Sequence, residues 1–236
     1  MFTKTVAFYD AIYLARGKDY ALESQEIHEL IQKHKRSKGN TLLDLACGTG
    51  LHLQFFSRDY QCEGLDLDAE MLKVAGERCK KITLHQGNMI DFRIDKKFDA
   101  ITCLFSSIGY VQSVENLHRT ITTMSGHLQP GGVLVIEPWI YPERWKPGAV
   151  HSVFVDEPEL KIARLNVSRT EDRRSILEMH YLVGTPQGIN YFTELHEMGL
   201  FTHEEYLQAF YQNKLETIYD AKGLTGRGLY LGIKSL

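Results

Sequence analysis

Cysteine is scarce in this chain, and its four copies (Cys47, Cys62, Cys79 and Cys103) form no C-x-x-C motif. The common zinc and dithiol signatures are therefore absent. Three of the four fall in or beside expected core strands, so buried free thiols in a reducing cytosol are expected. The ten histidines make no helical i, i+4 pair and no Cys/His cluster, so no metal site is expected. There is no G-x-S-x-G and no P-loop, which removes the obvious hydrolase and kinase readings. No apolar run approaches a membrane span, and Met1–Tyr20 lacks an apolar core of signal-peptide type; a cytoplasmic protein with no membrane partner is expected. A net charge of −3 leaves no electrostatic footprint for nucleic acid. Repeats and low-complexity tracts are missing too. What remains is an ordinary globular composition, 43% apolar and 24% charged, over 236 residues. That suits one large domain carrying an insertion.

The stretch around which the rest is organised is Thr41-Leu-Leu-Asp-Leu-Ala-Cys-Gly-Thr-Gly50. Leu42, Leu43 and Leu45 read as a short buried strand, and Gly48-Thr49-Gly50 as a tight turn opening a helix at Leu51. Such a turn lets backbone approach a ligand at the carboxyl end of a parallel strand. The geometry would also suit a dinucleotide, but the third glycine of that fingerprint falls on Leu53, so the close helix–strand packing it permits is expected to be missing. Asp44, inside the strand, is an acid that no NAD fingerprint requires.

Upstream, Met1–Tyr20 is rich in aromatics (Phe2, Phe8, Tyr9, Tyr13, Tyr20). It reads either as a segment tied down by apolar contacts or as a lid, followed by an amphipathic helix over Ala21–His34. Downstream, a helix over Leu51–Arg58 leads to a strand ending at Asp66, an acid placed to accept both hydroxyls of a ribose. Asp68 reads as the N-cap of the helix Ala69–Cys79. Strands over Ile82–His85 and Phe98–Leu104, a helix over Val114–Leu128, a turn at Gln129-Pro-Gly-Gly132 and a strand over Val133–Glu137 complete the alternation. It predicts a doubly wound parallel sheet of Rossmann-like type.

Past Glu137 the rhythm changes. An aromatic, proline-bearing loop holds Trp139, Tyr141 and Trp145, and Leu160–Arg169, Ser175–Val183 and Tyr191–Leu200 alternate as antiparallel strands. Residues 138–200 thus read as an antiparallel β insertion covering the active site, and residues 1–36 as an N-terminal lid and helix, within a single domain spanning 1–236. Thr202 and Glu205 form a capping box for a helix over Glu204–Asn213, and strands over Leu215–Tyr219 and Leu229–Ile233 close the sheet.

Asp44-x-Ala-Cys-Gly-Thr-Gly50 resembles the first motif of class I S-adenosylmethionine-dependent methyltransferases, whose sheet has seven strands. Six segments in order resemble a narrower family, the N,N-dimethyltransferases of TDP-linked amino sugars: Gly17–Tyr20, Leu43–Gly50, Leu84–Met89, Phe105-Ser-Ser-Ile-Gly-Tyr110, Val135–Trp139 and Thr225-Gly-Arg-Gly-Leu229. The family usually carries Glu at the position of Asp66 and Asp at that of Asn88. The resemblance implies S-adenosylmethionine as cofactor, leaving as S-adenosylhomocysteine. It implies a cofactor site of Tyr13, Lys18, Tyr20, Ala46, Gly48, Gly50, Asp66, Leu67, Met71, Asn88, Met89 and Leu104. Tyr110 is the candidate catalytic residue, as orienter of the amine rather than base, against the alternative of core packing. Arg227, framed by glycines, is the candidate for the pyrophosphate, against the alternative of a solvated turn arginine. Trp139 and Tyr141 are candidates for the sugar or thymine, against the alternative of loop aromatics that anchor the insertion; Arg164 and Arg169, on a cover strand, are weaker phosphate candidates, against the alternative of solvated strand arginines. Competing readings are another amine or hydroxyl acceptor, an NAD-linked oxidoreductase and a non-catalytic cofactor-binding protein. Exposed cover strands also leave a homodimer open.

Overall fold

The structure is a computed structural model in which residues 4–236 are described; Phe2 lies outside them. It opens with α1 (Tyr9–Leu14) and α2 (Tyr20–His34). Asp19 starts α2 by accepting a hydrogen bond from the Leu22 amide, one of the donors that a helix start leaves unpaired. Ile27 and Ile31, one turn apart, bury that helix against the sheet.

From Thr41 strands and helices alternate: β1 (Thr41–Leu45), α3 (Leu51–Phe56), β2 (Gln61–Asp66), α4 (Ala69–Arg78) and β3 (Thr83–Gln86). Then come β4 (Phe98–Cys103), α5 (Val114–Gly126) and β5 (Leu128–Ile136). Four antiparallel strands follow, β6 (Val150–Glu157), β7 (Leu160–Glu171), β8 (Arg174–Thr185) and β9 (Gly188–Gly199). The chain closes with α6 (His203–Gln212), β10 (Leu215–Asp220) and β11 (Leu229–Lys234).

The main sheet has seven strands in the order β10-β11-β5-β4-β1-β2-β3, with β11 antiparallel to both its neighbours and the pairings among β1 to β5 all parallel. Every residue of β4 is buried, as a strand covered on both faces requires. Leu43 and Leu45 of β1 face one core, with Ile101 and Leu134; Leu42 faces the other, with Ile27 and Ile31. Truncating any of these leucines to alanine should cost about 2–5 kcal/mol. The chain runs outward from β1 to β3 and then crosses to β4 on the other side of β1. The crevice beyond the carboxyl ends of β1 and β4 is therefore the switch point where open α/β sheets bind ligands.

The second sheet, β6-β7-β8-β9, lays Val153, Val155, Ile162, Met179 and Tyr181 against Ile12 of α1, Trp139 and Trp145. Its last strand, β9, also lies against the helical turn Ser107–Val111. Among the described residues no helix is long and apolar enough to cross a membrane.

Three local expectations are corrected. Gln129–Gly132 is not a turn between elements: β5 starts at Leu128, and its register against β4 jumps from Phe98–Leu128 to Ala100–Val133. Pro130 lacks a ladder donor and Gly131 takes φ 74°, so the extra residues are absorbed as an irregularity within the strand. The sequence alone does not signal the strand β6; its pairing with β7, from Val150–Val167 to Glu157–Leu160, supplies it. Close helix–strand packing is also present, with the glycine on the other partner. Leu53 of α3 sits over Gly64 of β2, where an added Cβ would come within 2.6 Å of Leu53 Cδ1.

Candidate active site

At the end of β1 the chain turns through Ala46, Gly48 and Gly50, all with positive φ. Asp66 holds the turn in place: its Oδ2 accepts from the Gly48 amide at 2.8 Å and its Oδ1 from the Asp68 amide at 2.9 Å. Burial pushes the Asp66 carboxyl up, and those amides oppose the shift. Asp68 caps α4 through the amides of Glu70 and Met71, as its position suggested.

The turn borders a cavity of about 330 Å³ lined by Ala46, Gly48, Asp66, Leu67, Met71, Asn88 and Met89. All seven are among the cofactor residues that the sequence resemblance implies. A narrow extension of about 30 Å³ is lined by Tyr20, Asp44, Ala46, Gly48, His52 and Leu104. The Tyr20 hydroxyl is buried there without a hydrogen-bond partner. An unsatisfied donor beside a glycine turn and an apolar chamber ending in an acid and an amide fit the two ends of S-adenosylmethionine.

Not every expected cofactor residue belongs to this cavity. Gly50 is the N-cap of α3 at φ 77°, and a Cβ there would press on Ala75 and Cys79 at 3.1 and 3.3 Å; its work is packing α3 onto α4. Tyr13 and Lys18 line the neighbouring cleft instead. Lys18 Nζ is held by Glu23 Oε2 at 2.5 Å and stands 3.9 Å from the centroid of the Phe105 ring. Asn88 caps its own turn, accepting from the Ile90 amide at 3.1 Å with one lone pair to spare.

The neighbouring cleft, about 610 Å³, opens between the sheet end, α1 and the inner face of the second sheet. Tyr110, Trp139, Arg164 and Arg227, four of the acceptor candidates named from the sequence, line it. Its floor is the segment after β4, where Phe105 and Ser106 are consecutive non-glycine residues at φ 53° and 60°. Such backbone is costly and persists where surroundings fix it. Glu137 Oε2 accepts from the Phe105 amide at 2.6 Å and its Oε1 from Thr225 Oγ1 at 2.7 Å. Ser106 Oγ donates to the Pro138 carbonyl at 2.7 Å and accepts from Arg227 Nη1 at 2.8 Å. Three distant sequence segments, at 105–110, 137–139 and 225–228, thus lock one another together.

Arg164 is not the solvated strand arginine that its pattern suggests. It is 3% exposed, its guanidinium carbon is 5.6 Å from the Tyr13 ring centroid, and its Nε and Nη1 have no hydrogen-bond partner. Arg169 is the solvated one, paired with Glu171 and Glu178. Tyr141 is misplaced by the sequence reading. It lies in the core, its hydroxyl 2.9 Å from that of Tyr230 and 3.3 Å from that of Tyr219, and it lines neither cavity. As the ring that follows the last parallel strand, it seals the sheet against α6 through Tyr206.

Sequence reasoning missed Tyr9, Ser107 and His196. Tyr9 and Ser107 line the cavity beside the glycine turn, its extension and the neighbouring cleft, and so mark where the three meet. Nothing distinguished Tyr9 among the N-terminal aromatics. His196 could have been found from the period of β9, which buries Glu194, His196 and Met198 on one face. Its Nδ1 lies 2.8 Å from the Tyr110 hydroxyl.

The strand order and the position of this site define a class I methyltransferase. A methyltransferase-domain family model matches residues 42–132. Over 227 residues, 95% of each chain, the protein is 40% identical to the dTDP-3-amino-3,4,6-trideoxy-alpha-D-glucopyranose N,N-dimethyltransferase of Streptomyces venezuelae. Over 228 residues, 96% of this chain and 91% of the relative, it is 39% identical to the dTDP-4-amino-2,3,4,6-tetradeoxy-D-glucose N,N-dimethyltransferase of Saccharopolyspora spinosa. Among solved structures, it superposes on SAM-bound CalS10, an amino pentose methyltransferase from Micromonospora echinaspora, with a TM-score of 0.88 at 38% identity over 96% of both chains. The chain belongs to the S-adenosylmethionine-dependent methyltransferases, and within them to the family of TDP-amino-sugar N,N-dimethyltransferases.

Proposed function

We propose that the protein methylates the amine of a TDP-linked deoxyamino sugar. The observation that carries this reading is the meeting of the cofactor cavity and the arginine-bearing acceptor cleft at Tyr9, Ser107 and Tyr110. When bound, S-adenosylmethionine supplies an activated methyl group on its sulfonium. The chain's own residues then hold the nucleophile in line and exclude water, which accounts for much of the acceleration in such displacements. Asp66, with lone pairs left on both oxygens, accepts from the ribose; Asn88 and Met89 serve the adenine, and Tyr20 the methionine end. Arg227 and Arg164 take the pyrophosphate, Arg164 through its two unpaired buried donors. Trp139 is shared between stacking on Arg227 and lining the cleft. Tyr110 meets the amine. Relatives at 40% and 39% identity carry 3-amino and 4-amino names, so the reading covers both positions.

Calorimetry tests the acceptor assignment. With S-adenosylhomocysteine present, TDP should bind saturably and lose most of its affinity in an Arg164→Leu variant. Equal binding by both proteins would remove the diphosphate from this cleft.

Residues 138–200 act in this reading as a cover within a single domain, and the residues before α2 as a lid. The cover also supports a homodimer. Val150, Phe154, Leu165, Val167, Leu182 and Tyr191 lie on its outer face at 45% to 70% exposure. A contiguous exposed apolar patch of this kind marks an interaction surface, and a two-fold partner presents the same patch.

A further inference from the structure

The acceptor reading leaves one arrangement unexplained. Tyr110, which stands between the two cavities, is bonded at its hydroxyl to a histidine, and that histidine is backed by a carboxylate. His196 Nδ1 is 2.8 Å from Tyr110 Oη, and His196 Nε2 is 3.8 Å from Glu194 Oε2. Tyr110 and His196 line the cleft, and Glu194 is buried on the same face of β9 as His196.

Glu194 is held firmly. Its Oε1 accepts from the amides of Lys4 and Thr5 at 2.6 and 3.1 Å, and its Oε2 from Thr5 Oγ1 at 2.8 Å. Burial would push its carboxyl up, but the His196 imidazole nearby and the hydrogen bonds from Thr5 and the Lys4 amide outweigh it, and the group sits below the usual carboxylate range. It is an acceptor only. At 3.8 Å its contact with His196 Nε2 is electrostatic and longer than a hydrogen bond, and it favours the tautomer with the proton on Nε2, which leaves Nδ1 of neutral His196 as an acceptor for the Tyr110 hydroxyl.

We propose that Glu194 and His196 are positioning residues that fix the Tyr110 hydroxyl as a donor to His196, so that its oxygen presents only lone pairs to the amine. The inference rests on the amino-sugar reading above. Its consequence concerns the nucleophile's own lone pair. An amine N–H can donate to Tyr110 Oη, which turns the nitrogen lone pair away from the tyrosine and leaves it available for the methyl group. With the other tautomer, His196 Nδ1–H would donate to Tyr110, and the freed O–H would donate to the nitrogen lone pair. The same side chain would then hold the acceptor in an unreactive form. A correct tautomer is thus worth rate, not binding.

Glu194→Gln places an amide where a carboxylate oxygen was and favours the wrong tautomer with little change of shape. The expected result is a fall in kcat of about ten-fold or more, with KM for the amino sugar unchanged or lower, and unchanged cofactor affinity. His196→Asn, which offers an acceptor oxygen at the place of Nδ1, should restore most of the kcat lost in His196→Leu. In a Tyr110→Phe background neither His196 variant should cost more. Wild-type kcat in Glu194→Gln, or full additivity with Tyr110→Phe, would overturn the proposal. Should the wild-type protein turn over no amino sugar, the acceptor reading fails by itself, and ¹⁵N spectra of the imidazole still decide the tautomer. Protonated Nε2 with bare Nδ1 in the wild-type protein, lost in Glu194→Gln, supports the proposal. Protonated Nδ1 in the wild type contradicts it.

Discussion

Arg227 donates from Nη1 to the Ser106 hydroxyl at 2.8 Å while its guanidinium carbon stands 5.0 Å from the centroid of the Trp139 ring. One side chain therefore ties the left-handed segment after β4 to the loop after β5 and faces the cleft as well. Lysine keeps the charge but neither the planar stacking nor the fork of donors. Arg227→Lys should lower kcat/KM for the nucleotide sugar by roughly 10- to 100-fold, chiefly through KM, with cofactor affinity unchanged. Steady-state kinetics with varied acceptor checks this; an unchanged KM would place the pyrophosphate elsewhere.

Glu137 is wholly buried and accepts from both the Phe105 amide and Thr225 Oγ1. In Glu137→Gln one carboxylate oxygen becomes an NH₂ facing a donor, and that donor loses its partner. The expected cost is about 1–3 kcal/mol, a fall of roughly 2–12 °C in melting temperature for a chain of this size. Thermal unfolding monitored by circular dichroism reads it directly. A variant as stable as the wild type would show that the strained segment is held by other contacts.

Asp44 gives a pH dependence of known sign. Burial pushes its carboxyl up to about 6 from an ordinary 3.8, with Thr102 Oγ1 donating to its Oδ1 at 2.7 Å. The folded state therefore holds this proton more tightly than the unfolded chain. The group's contribution is most favourable below pH 3.8 and is lost as pH rises through 3.8 to 6. Above that window the ionised group costs about 2–3 kcal/mol. Asp44→Asn mimics the protonated form and keeps the Thr102 bond. Without cofactor, the variant should gain in melting temperature over the wild type as pH rises from 3.8 to 6 and then hold a constant lead of several degrees. A difference independent of pH would contradict the assignment.

The outer face of the cover sheet carries the assembly prediction. Phe154→Asp and Leu182→Asp each put a charge into the proposed two-fold contact, and both side chains point away from the cleft. Sedimentation velocity should show a dimer for the wild-type protein and a monomer of unchanged methyltransferase fold for the pair of substitutions. A wild-type monomer at micromolar concentration would remove the second copy from this face.

How much of this was legible in the sequence varied with how local the signal is. The glycine turn at Gly48 and the acid at Asp66 were readable because both follow from strand ends, and the structure brings them to one cavity. The apolar periodicity of β4 and α5 is likewise a property of each segment alone. Tyr141 and Trp139 were indistinguishable as loop aromatics, because only the packing of α6 and β11 decides which ring turns inward. Arg164 looked solvated because its burial depends on a cleft wall made by α1, more than a hundred residues away. The missing third glycine misled for a related reason: close approach needs one small residue at the contact, and Gly64 on the strand supplies it as well as a helix glycine would.

The most direct test of the account is mass spectrometry of TDP-3-amino- and TDP-4-amino-6-deoxysugars after incubation with the protein and S-adenosylmethionine. The account predicts a gain of one or two methyl groups on the nitrogen of one isomer, dependent on cofactor and slowed in Tyr110→Phe, which loses most of the kcat but keeps measurable turnover. No methyl gain on either isomer, with S-adenosylmethionine binding intact by calorimetry, would contradict the amino-sugar acceptor.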